Sequence, residues 1–299
     1  RDPVQDQEIK ADYAGFRKRN NRKPGAMSTV RNAGSALEAT EEERQAAFEA
    51  RWQKGGLGFM GSFGDLMTSQ EANDTAAEFV RNKIRQVVHD PEVAELLAPR
   101  GTIGCKRLCI DTNYYETFNR SNVTLVDISE SPIEEIVQNG LRVKGEEYQL
   151  DCLVFAIGFD AMTGALLNID IRGKGGTILK EKWAAGPRTY LGIGTNGFPN
   201  LFTISGPGSP SVLTNMLPSI EQHVNWMADC IGYMGEQGLR CIEPTIEAED
   251  AWVSHVNEVA GKTLRYTCNS WYLGANVPGK PRVFMPYIGF PAYVKKCTE

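Results

Sequence analysis

The sequence has few of the residues that build metal centres and none of the long apolar runs that cross membranes. It contains only three histidines, His89, His223 and His255, and seven scattered cysteines without a Cys-x-x-Cys pair. Neither a His-Glu-x-x-His pattern nor a Gly-x-Ser-x-Gly pattern occurs, which argues against zinc hydrolases and serine hydrolases. No apolar stretch approaches the ~20 residues that a transmembrane helix needs.

Positive charge is also scarce. The 32 lysines and arginines against 37 aspartates and glutamates give a net charge of −5, so the composition does not support a nucleic-acid partner. Because the cysteines are scattered, we expect reduced thiols rather than a disulfide framework. The N-terminal residues Arg1 to Val4 lack the apolar region of a signal peptide. We therefore expect a cytoplasmic protein of roughly one to three domains, without a membrane partner.

The first hundred residues carry the patterns of helices. Thr40 followed by Glu43 is a capping box, and it predicts a helix that ends at Gly55. Apolar residues recur at helical spacing across 71–88, which predicts an amphipathic helix, and a shorter helix is predicted over 92–97.

After these helices the pattern changes to short strands. We predict strands over 123–127 and 133–137, and the pair Asn139-Gly140 predicts a hairpin turn that leads back into 141–143. The segment is too small to be a nucleotide-binding domain by itself.

An unbroken apolar run, Leu153 to Ile157, is followed by Gly158 and then by Asp160. A run of this length is too short for a helix and predicts a strand covered on both faces, as in a parallel sheet. Open α/β sheets bind ligands at the ends of such strands. The alternative is a buried strand with a glycine exit turn and no ligand.

The C-terminal half alternates predicted strands, glycine turns and helices. A strand over 200–204 leads through the turn Ser205 to Pro210 into a helix over 219–234. Backbone amides of such a turn can meet a cofactor, and an unliganded turn is the alternative. The buried stripe of this helix is predicted to consist of Ile220, Val224, Met227, Ile231 and Met234. Further strands are predicted over 169–171 and 189–191, and a further helix over 246–259.

One apparent nucleotide motif does not qualify. Gly192 to Gly197 satisfies Gly-x-Gly-x-x-Gly, but Phe198 and Pro199 follow it directly. No helix opens there to present its N-terminus to a pyrophosphate, so we do not interpret the run as a dinucleotide fingerprint.

The residues Ala156-Ile157-Gly158-Phe159-Asp160 resemble the Ala-Thr-Gly-Phe-Asp junction of the flavin-dependent Baeyer–Villiger monooxygenases. Ile157 stands where that family usually has threonine, so a hydroxyl that could hydrogen-bond there is missing. The resemblance extends over nearly the whole chain. It implies an α/β fold: the C-terminal part of a flavoprotein with two dinucleotide-binding domains, for FAD and NADP, and a helical insertion.

The resemblance also implies a division into segments. Residues 1–102 would be the helical insertion domain, 103–152 the C-terminal part of the NADP-binding domain, and 153–299 the C-terminal part of the FAD-binding domain. The family's two genuine fingerprints, and its Phe-x-Gly-x-x-x-His-x-x-x-Trp/Pro pattern, lie in the N-terminal half and are absent here. We therefore expect the N-terminal half of the same protein to be the partner that supplies the pyrophosphate sites.

The segment Lys106-Arg107-Leu108 acquires a role only through the resemblance, because a Lys-Arg pair is usually a solvated surface feature. By resemblance, Lys106 meets the 2′-phosphate of NADPH, which suits a compact point charge. Arg107 is then the catalytic arginine, whose permanent charge favours the anionic form of a flavin C4a-peroxide. Leu108 would face the substrate.

The remaining site residues also follow from the resemblance. The cofactor contacts would be Ile157, Gly158, Asp160, Asn215 and Met216. The substrate contacts would be Ser211, Val212, Leu213 and Met216. Trp271, on a loop rich in glycine and proline, would gate the NADP site, and burial as an ordinary packed aromatic is the alternative.

These expectations add up to an FAD- and NADPH-dependent Baeyer–Villiger monooxygenase that uses O2 to convert aromatic, cyclic or steroidal ketones into esters or lactones. The chain alone is expected to be inactive. Two alternatives stay open: a related flavin monooxygenase that oxidises nitrogen or sulfur, and a non-catalytic fragment without a cofactor.

Overall fold

Helices dominate the computed structural model, which describes residues 3–299. In chain order, one small antiparallel sheet separates the N-terminal helices from the C-terminal helices. The helices in chain order are α1 Pro3–Ala11, α2 Tyr13–Asn21, α3 Glu41–Lys54, α4 Gln70–Val87, α5 Pro91–Leu97, α6 Tyr114–Thr117, α7 Gly164–Leu167, α8 Leu179–Lys182, α9 Met216–Glu236, α10 Ile246–Gly261 and α11 Phe290–Lys296. The strands are β1 Glu135–Val137, β2 Gly140–Val143 and β3 Glu146–Gln149. Across residues 3–299, no helix is both long enough and apolar enough to span a bilayer.

The capping box predicted at the start of α3 is present. The backbone N–H of Glu43 donates to the Thr40 hydroxyl, while the Thr40 N–H donates to the Glu43 carboxylate at 2.9 Å. At the other end, Gly55 takes a φ of 67°, which terminates the helix. Both ends of α3 are therefore set by short-range hydrogen bonds, as the sequence predicts.

The helices α3 and α4 share an aromatic core. The ring of Phe48 lies 5.6 Å from that of Phe59 and 5.4 Å from that of Phe79, measured between centroids. Asn73 on α4 is completely buried, and its amide bonds the backbone N–H and C=O of Ile103. This amide fixes the segment that follows the helical region onto its core.

The predicted hairpin forms, and it carries a third strand that we did not predict. Strands β1 and β2 pair with Val137 opposite Gly140, and β2 and β3 pair with Val143 opposite Glu146. The strand expected over 123–127 is wrong, because that segment pairs with no strand within residues 3–299.

The apolar run 153–157 is also not a strand, which corrects the central sequence expectation. It lacks regular structure and is solvent-exposed, with Ile157 at 89% and Phe159 at 90% of full exposure. A parallel strand needs neighbours to accept its hydrogen bonds and cover its faces, and none of the described residues provides them.

Three further predicted strands are reduced or missing for the same reason. Only isolated bridges remain near two of them, between Arg172 and Ile178 and between Tyr190 and Gly194. The segment 200–204 pairs with no strand in the described part of the chain.

The C-terminal core lies between α9, α10 and α11. The ring of Trp252 on α10 stacks on Tyr287 at 5.2 Å, and both pack in one cluster with the fully buried Tyr293. Helices α9 and α10 match the predicted helices closely.

The face that α9 buries differs from the predicted stripe. The residues that it buries are Ser219, His223 and Met227, whereas Val224 and Ile231 are exposed. The polar His223 and Ser219 are therefore inside, and an apolar edge of α9 is left uncovered.

Two cysteines, Cys105 and Cys268, are joined as a disulfide with their Cα atoms 5.9 Å apart. The expectation of seven reduced thiols is therefore wrong for this pair. Scattered positions in sequence do not report distance in the fold, and these two cysteines are 163 residues apart along the chain.

Candidate functional site

The arginine segment is placed by its attachment to the helical core. Gly104, next to the anchored Ile103, takes a φ of 84°, and a Cβ there would come within 2.8 Å of the Met67 sulfur. The chain then turns outward, so that Lys106 and Arg107 are exposed. This conformation carries the guanidinium across to the C-terminal region.

Arg107 makes two contacts that join separate parts of the predicted site. Its guanidinium donates a hydrogen bond to the backbone carbonyl of Val212. It also interacts with the hydroxyl of Tyr272, the neighbour of Trp271. The structure therefore brings the predicted arginine, the 211–214 loop and the tryptophan loop together.

Tyr272 is the point at which cationic groups converge. The residue is buried, and desolvation raises the pKa of its hydroxyl, while the charges of Arg107 and Arg265 oppose this shift. The tyrosine thus stays protonated although the charges of Arg107 and Arg265 act on it.

Arg265 is a second arginine without a compensating charge. Its Nε atom is buried and has no hydrogen-bond acceptor within residues 3–299. Burial lowers the pKa of the guanidinium, and the ionisable groups near it are the neutral Tyr272 and another cation, Arg31. An orphaned guanidinium N–H among cations fits an anionic group such as the phosphate of a dinucleotide.

The junction segment is held by the tryptophan loop, not by a sheet. Lys280 pairs with the carboxylate of Asp160 and donates to the carbonyl of Ala161 at 2.8 Å. The side-chain amide of Asn276 donates to the carbonyl of Phe159 at 2.7 Å. Gly158, with a φ of 77°, turns the chain just before these contacts.

The turn after residue 204 packs against the run that mimicked a nucleotide motif. Gly192 has a φ of 68°, and a Cβ there would lie 2.4 Å from the backbone nitrogen of Ser209. The Gly206 position is equally close, because a Cβ would lie 2.5 Å from the Gly192 carbonyl oxygen. The glycines at 192 and 206 therefore allow two turns to touch, which is a packing role.

The loop 211–214 connects this turn to α9. Ser211 is buried with a φ of 43°, and its hydroxyl lies 3.8 Å from the sulfur of Met162 in the junction segment. Val212 and Leu213 pack against the C-terminal core. Asn215 caps α9 by accepting the Leu217 N–H, and Met216 is the first residue of the helix.

Trp271 lies in a short helical turn with its ring centroid 4.3 Å from that of Tyr272. Its side chain is partly buried against the C-terminal core. The indole therefore packs as an ordinary aromatic on one side and reaches the arginine contact through Tyr272.

Not every predicted residue joins this site. Ile157 is exposed, and Leu108 packs against the helical core. Lys106 is exposed beside the arginine. The contacts that do converge come from Arg107, Val212 and the loop 271–282.

Sequence reasoning missed the roles of Tyr272, Arg265 and Lys280. The signal for Tyr272 was its position beside Trp271. Lys280 carried a weaker signal, a cation within a loop otherwise rich in glycine and proline. Arg265 could not have been recognised from the sequence, because only the structure shows that its Nε is buried without an acceptor in the described residues.

Comparison with known proteins finds Baeyer–Villiger monooxygenases among the similar sequences and structures. A Baeyer–Villiger monooxygenase of Pseudooceanicola batsensis is 46% identical over 285 residues, which cover 94% of this chain and 52% of that protein. The structure of an oxidized steroid monooxygenase bound to NADP superposes with a TM-score of 0.92 at 48% identity, covering 100% of this chain and 56% of that one. Over nearly its whole length this chain is similar to the C-terminal portion of Baeyer–Villiger monooxygenases. No protein-family model matches it.

Two further facts bear on this similarity. A phenazine N-monooxygenase of Lysobacter antibioticus is 42% identical over 269 residues, covering 89% of this chain and 49% of that protein. The chain spans about half the length of the curated relatives that it matches. The predicted fold class is confirmed, since the matching structures are α/β flavoproteins and the present chain corresponds to a largely helical half of them.

Proposed function

We propose that this chain is the arginine-bearing half of an FAD- and NADPH-dependent Baeyer–Villiger monooxygenase, which oxidises a ketone to an ester or lactone. The observation that carries the proposal is the contact of the Arg107 guanidinium with both the carbonyl of Val212 and the hydroxyl of Tyr272. One permanent cation thus stands where the loop 211–214 and the tryptophan loop meet.

The role of Arg107 follows from its charge. A guanidinium stays protonated at any working pH and presents a fork of donors. It can therefore stabilise negative charge that develops on oxygen during insertion, without losing its own proton. Bound flavin supplies the activation of O2 when it is present. The exposed position of Arg107 leaves room for the substrate and cofactor beside it.

NADP is proposed to lie against the cationic groups around Tyr272. Lys106 would meet the 2′-phosphate, and the orphaned Nε of Arg265 offers a second donor to a phosphate. Trp271 would cover the nicotinamide side of the site, since it lies on the same loop as Lys280 and Asn276. Closing this loop over the cofactor would exclude water.

FAD is proposed to contact the edge formed by the junction segment and the start of α9. Ile157, Gly158 and Asp160 form one side of this edge, and Asn215 and Met216 form the other. The exposure of Ile157 and the partial exposure of Met216 support a missing neighbour at this surface. The sequence has no glycine turn that opens a helix onto a pyrophosphate, so the preceding half of the protein would bind that part of FAD.

The substrate is proposed to lie beside Ser211, Val212, Leu213 and Met216, next to Arg107. Leu108 has less support as a substrate contact, because its side chain packs on the helical core. The domain division at 102/103 and 152/153 remains a proposal. Ile103, however, is anchored to Asn73 across the first boundary.

The deciding experiment uses the polypeptide that carries this chain together with its preceding half. We expect NADPH-dependent conversion of a panel of aromatic, cyclic and steroidal ketones to esters or lactones. Arg107→Ala should lower product formation by at least about a hundredfold, because the charge is lost, and Arg107→Lys should restore little of it. Arg120→Ala is the matched control, since Arg120 is exposed outside the site. Full ester formation in Arg107→Ala would refute the proposal.

A second candidate function has a specific observation in its favour, namely the 42% identity to a phenazine N-monooxygenase. Heteroaromatic amines should therefore be included in the panel. N-oxide formation that survives in Arg107→Ala, without any lactone from wild-type protein, would favour nitrogen oxidation.

A further inference from the structure

The paired cysteines lie on the two segments that meet at Arg107. Cys105 is two residues before Arg107 in sequence, and Cys268 is three residues before Trp271. Their Cα atoms are 5.9 Å apart, within the range that a disulfide spans without backbone movement. The pair therefore joins the arginine segment directly to the base of the tryptophan loop.

Both cysteines stand on anchored backbone. On one side, Asn73 holds Ile103, two residues before Cys105, with two hydrogen bonds of 2.9 Å. On the other side, the Leu264 N–H donates to the carbonyl of Met67 at 2.9 Å, four residues before Cys268. The sulfur atoms meet in a position that both backbones define, so pairing requires no rearrangement of either segment.

The two sulfur atoms share one backbone acceptor but differ in exposure. The carbonyl oxygen of Leu264 lies 2.7 Å from the sulfur of Cys268 and 3.9 Å from that of Cys105. In the dithiol form this oxygen can accept a thiol proton. Cys105 is only 8% exposed, whereas Cys268 is partly exposed and is the sulfur that a small oxidant reaches first.

We propose that Cys105 and Cys268 form a redox clasp that a hydroperoxide closes and a dithiol opens. The Cys268 thiolate attacks the peroxide oxygen, giving a sulfenic acid and releasing the alcohol or, from hydrogen peroxide, water. The Cys105 thiol then attacks the Cys268 sulfur, so that the S–S bond forms and water leaves. Two thiols are oxidised by two electrons, and one peroxide is reduced.

The closed clasp restricts the loop that carries Trp271, Asn276 and Lys280. A cross-link between residues far apart in sequence removes conformational freedom from the chain between them. Oxidation therefore holds the base of the loop against the arginine segment, while reduction leaves the loop attached through weaker contacts. The chemistry of the pair is independent of the proposed oxygenase function, and any effect on ketone oxidation rests on that function.

The first test uses this 299-residue chain, reduced and then treated with hydrogen peroxide. We expect a mass loss of two hydrogens and a linked peptide pair containing Cys105 and Cys268, which dithiothreitol separates. Cys105→Ser and Cys268→Ser should each abolish the linked pair, whereas Cys241→Ser, at an exposed unpaired cysteine, should retain it. Alkylation of both cysteines after peroxide treatment, or a link from Cys268 to Cys109, would overturn the pairing.

The second test measures the loop itself by trypsin cleavage after the exposed Arg282. Wild-type chain should be cleaved roughly tenfold more slowly when oxidised than when reduced. Cys268→Ser should be cleaved at the fast rate under both conditions. Equal rates for oxidised and reduced wild-type chain would rule out the clasp, whatever ketone oxidation shows.

Discussion

His223 shows at the scale of one residue how a polar side chain is accommodated in the core. It is completely buried, its Nδ1 accepts the Ser205 N–H at 2.9 Å, and its Nε2 lies 2.8 Å from the Tyr293 hydroxyl. That hydroxyl donates to the Leu191 carbonyl at 2.6 Å. Because Nδ1 accepts and the tyrosine proton is already used, Nε2 must carry the single ring proton.

The neutral histidine makes stability depend on pH. Burial lowers the pKa of His223 from 6.5 to about 4. Between these values the unfolded chain binds a proton that the folded chain does not bind, so stability falls as the pH falls. We expect the free energy of unfolding to drop by roughly 3 kcal/mol from about pH 6.5 to about pH 4, with no further loss from this residue below that.

Urea unfolding at a series of pH values measures this dependence. His223→Asn should have a lower free energy of unfolding at neutral pH and a flatter slope in the acidic window. His89→Gln changes an exposed histidine and should preserve the wild-type slope. An unchanged slope in His223→Asn would show that another group titrates.

At the scale of an element, the N-terminus of α3 depends on the Thr40 cap. Thr40→Ala removes the hydroxyl that caps the helix and leaves the Glu43 N–H without its acceptor. We expect a loss of about 1 kcal/mol in the free energy of unfolding, measured by denaturant titration. Glu42→Ala removes a carboxylate from the same turn that makes no capping bond, and it should cost clearly less.

The close contact between the turns at Gly192 and Gly206 gives a second prediction. Gly192→Ala adds a Cβ that would lie 2.4 Å from the Ser209 nitrogen, in addition to the strain of a φ of 68°. Gly175 has a similar φ of 65° and open space around it, so Gly175→Ala isolates the conformational term. We expect thermal unfolding to show a loss of about 1 kcal/mol for Gly175→Ala and at least about twice that for Gly192→Ala. Equal losses would mean that the two turns can separate without cost.

The elements that sequence could predict are those whose determinants are local. The cap at Thr40 and the helical spacing in α4 and α10 depend on residues within one or two turns. The hairpin follows from Asn139-Gly140 in the same way. The strand predictions outside the hairpin were wrong, because a strand forms only where neighbouring strands pair with it. The run 153–157 has no such neighbour in the described residues.

The candidate site likewise contains some residues that the sequence could predict and others that it could not. The importance of the Arg107 segment and of the 211–214 loop followed from family resemblance, and the contact between them agrees with it. The contributions of Tyr272, Arg265 and Lys280 depend on contacts between distant segments. No spacing in the sequence encodes those contacts.

At the scale of the whole molecule, apolar surface lies uncovered in the junction segment and on α9. Val154, Phe155 and Phe159 are exposed in the junction segment, and Leu217 and Ile231 are exposed on α9. Soluble proteins rarely expose apolar groups in adjacent positions without a partner. These surfaces fit the proposal that another part of the protein covers them.

The corresponding prediction concerns FAD. The chain alone should be purified without flavin absorbance, because its Gly-x-Gly-x-x-Gly run, Gly192 to Gly197, opens no helix that could bind the pyrophosphate. Joined to the preceding half, it should retain flavin in a stoichiometric amount. The visible spectrum together with the intact mass measures both cases, and a yellow preparation of the 299-residue chain alone would contradict the prediction.

The contacts of Lys280 and Asn276 tie the loop 271–282 to the crossover between the two proposed nucleotide domains. If this loop covers the ligand as proposed, it cannot lift away without also releasing that crossover. Admission of a ketone and rotation of one domain against the other would then be a single movement, which requires the Lys280–Asp160 ion pair to break.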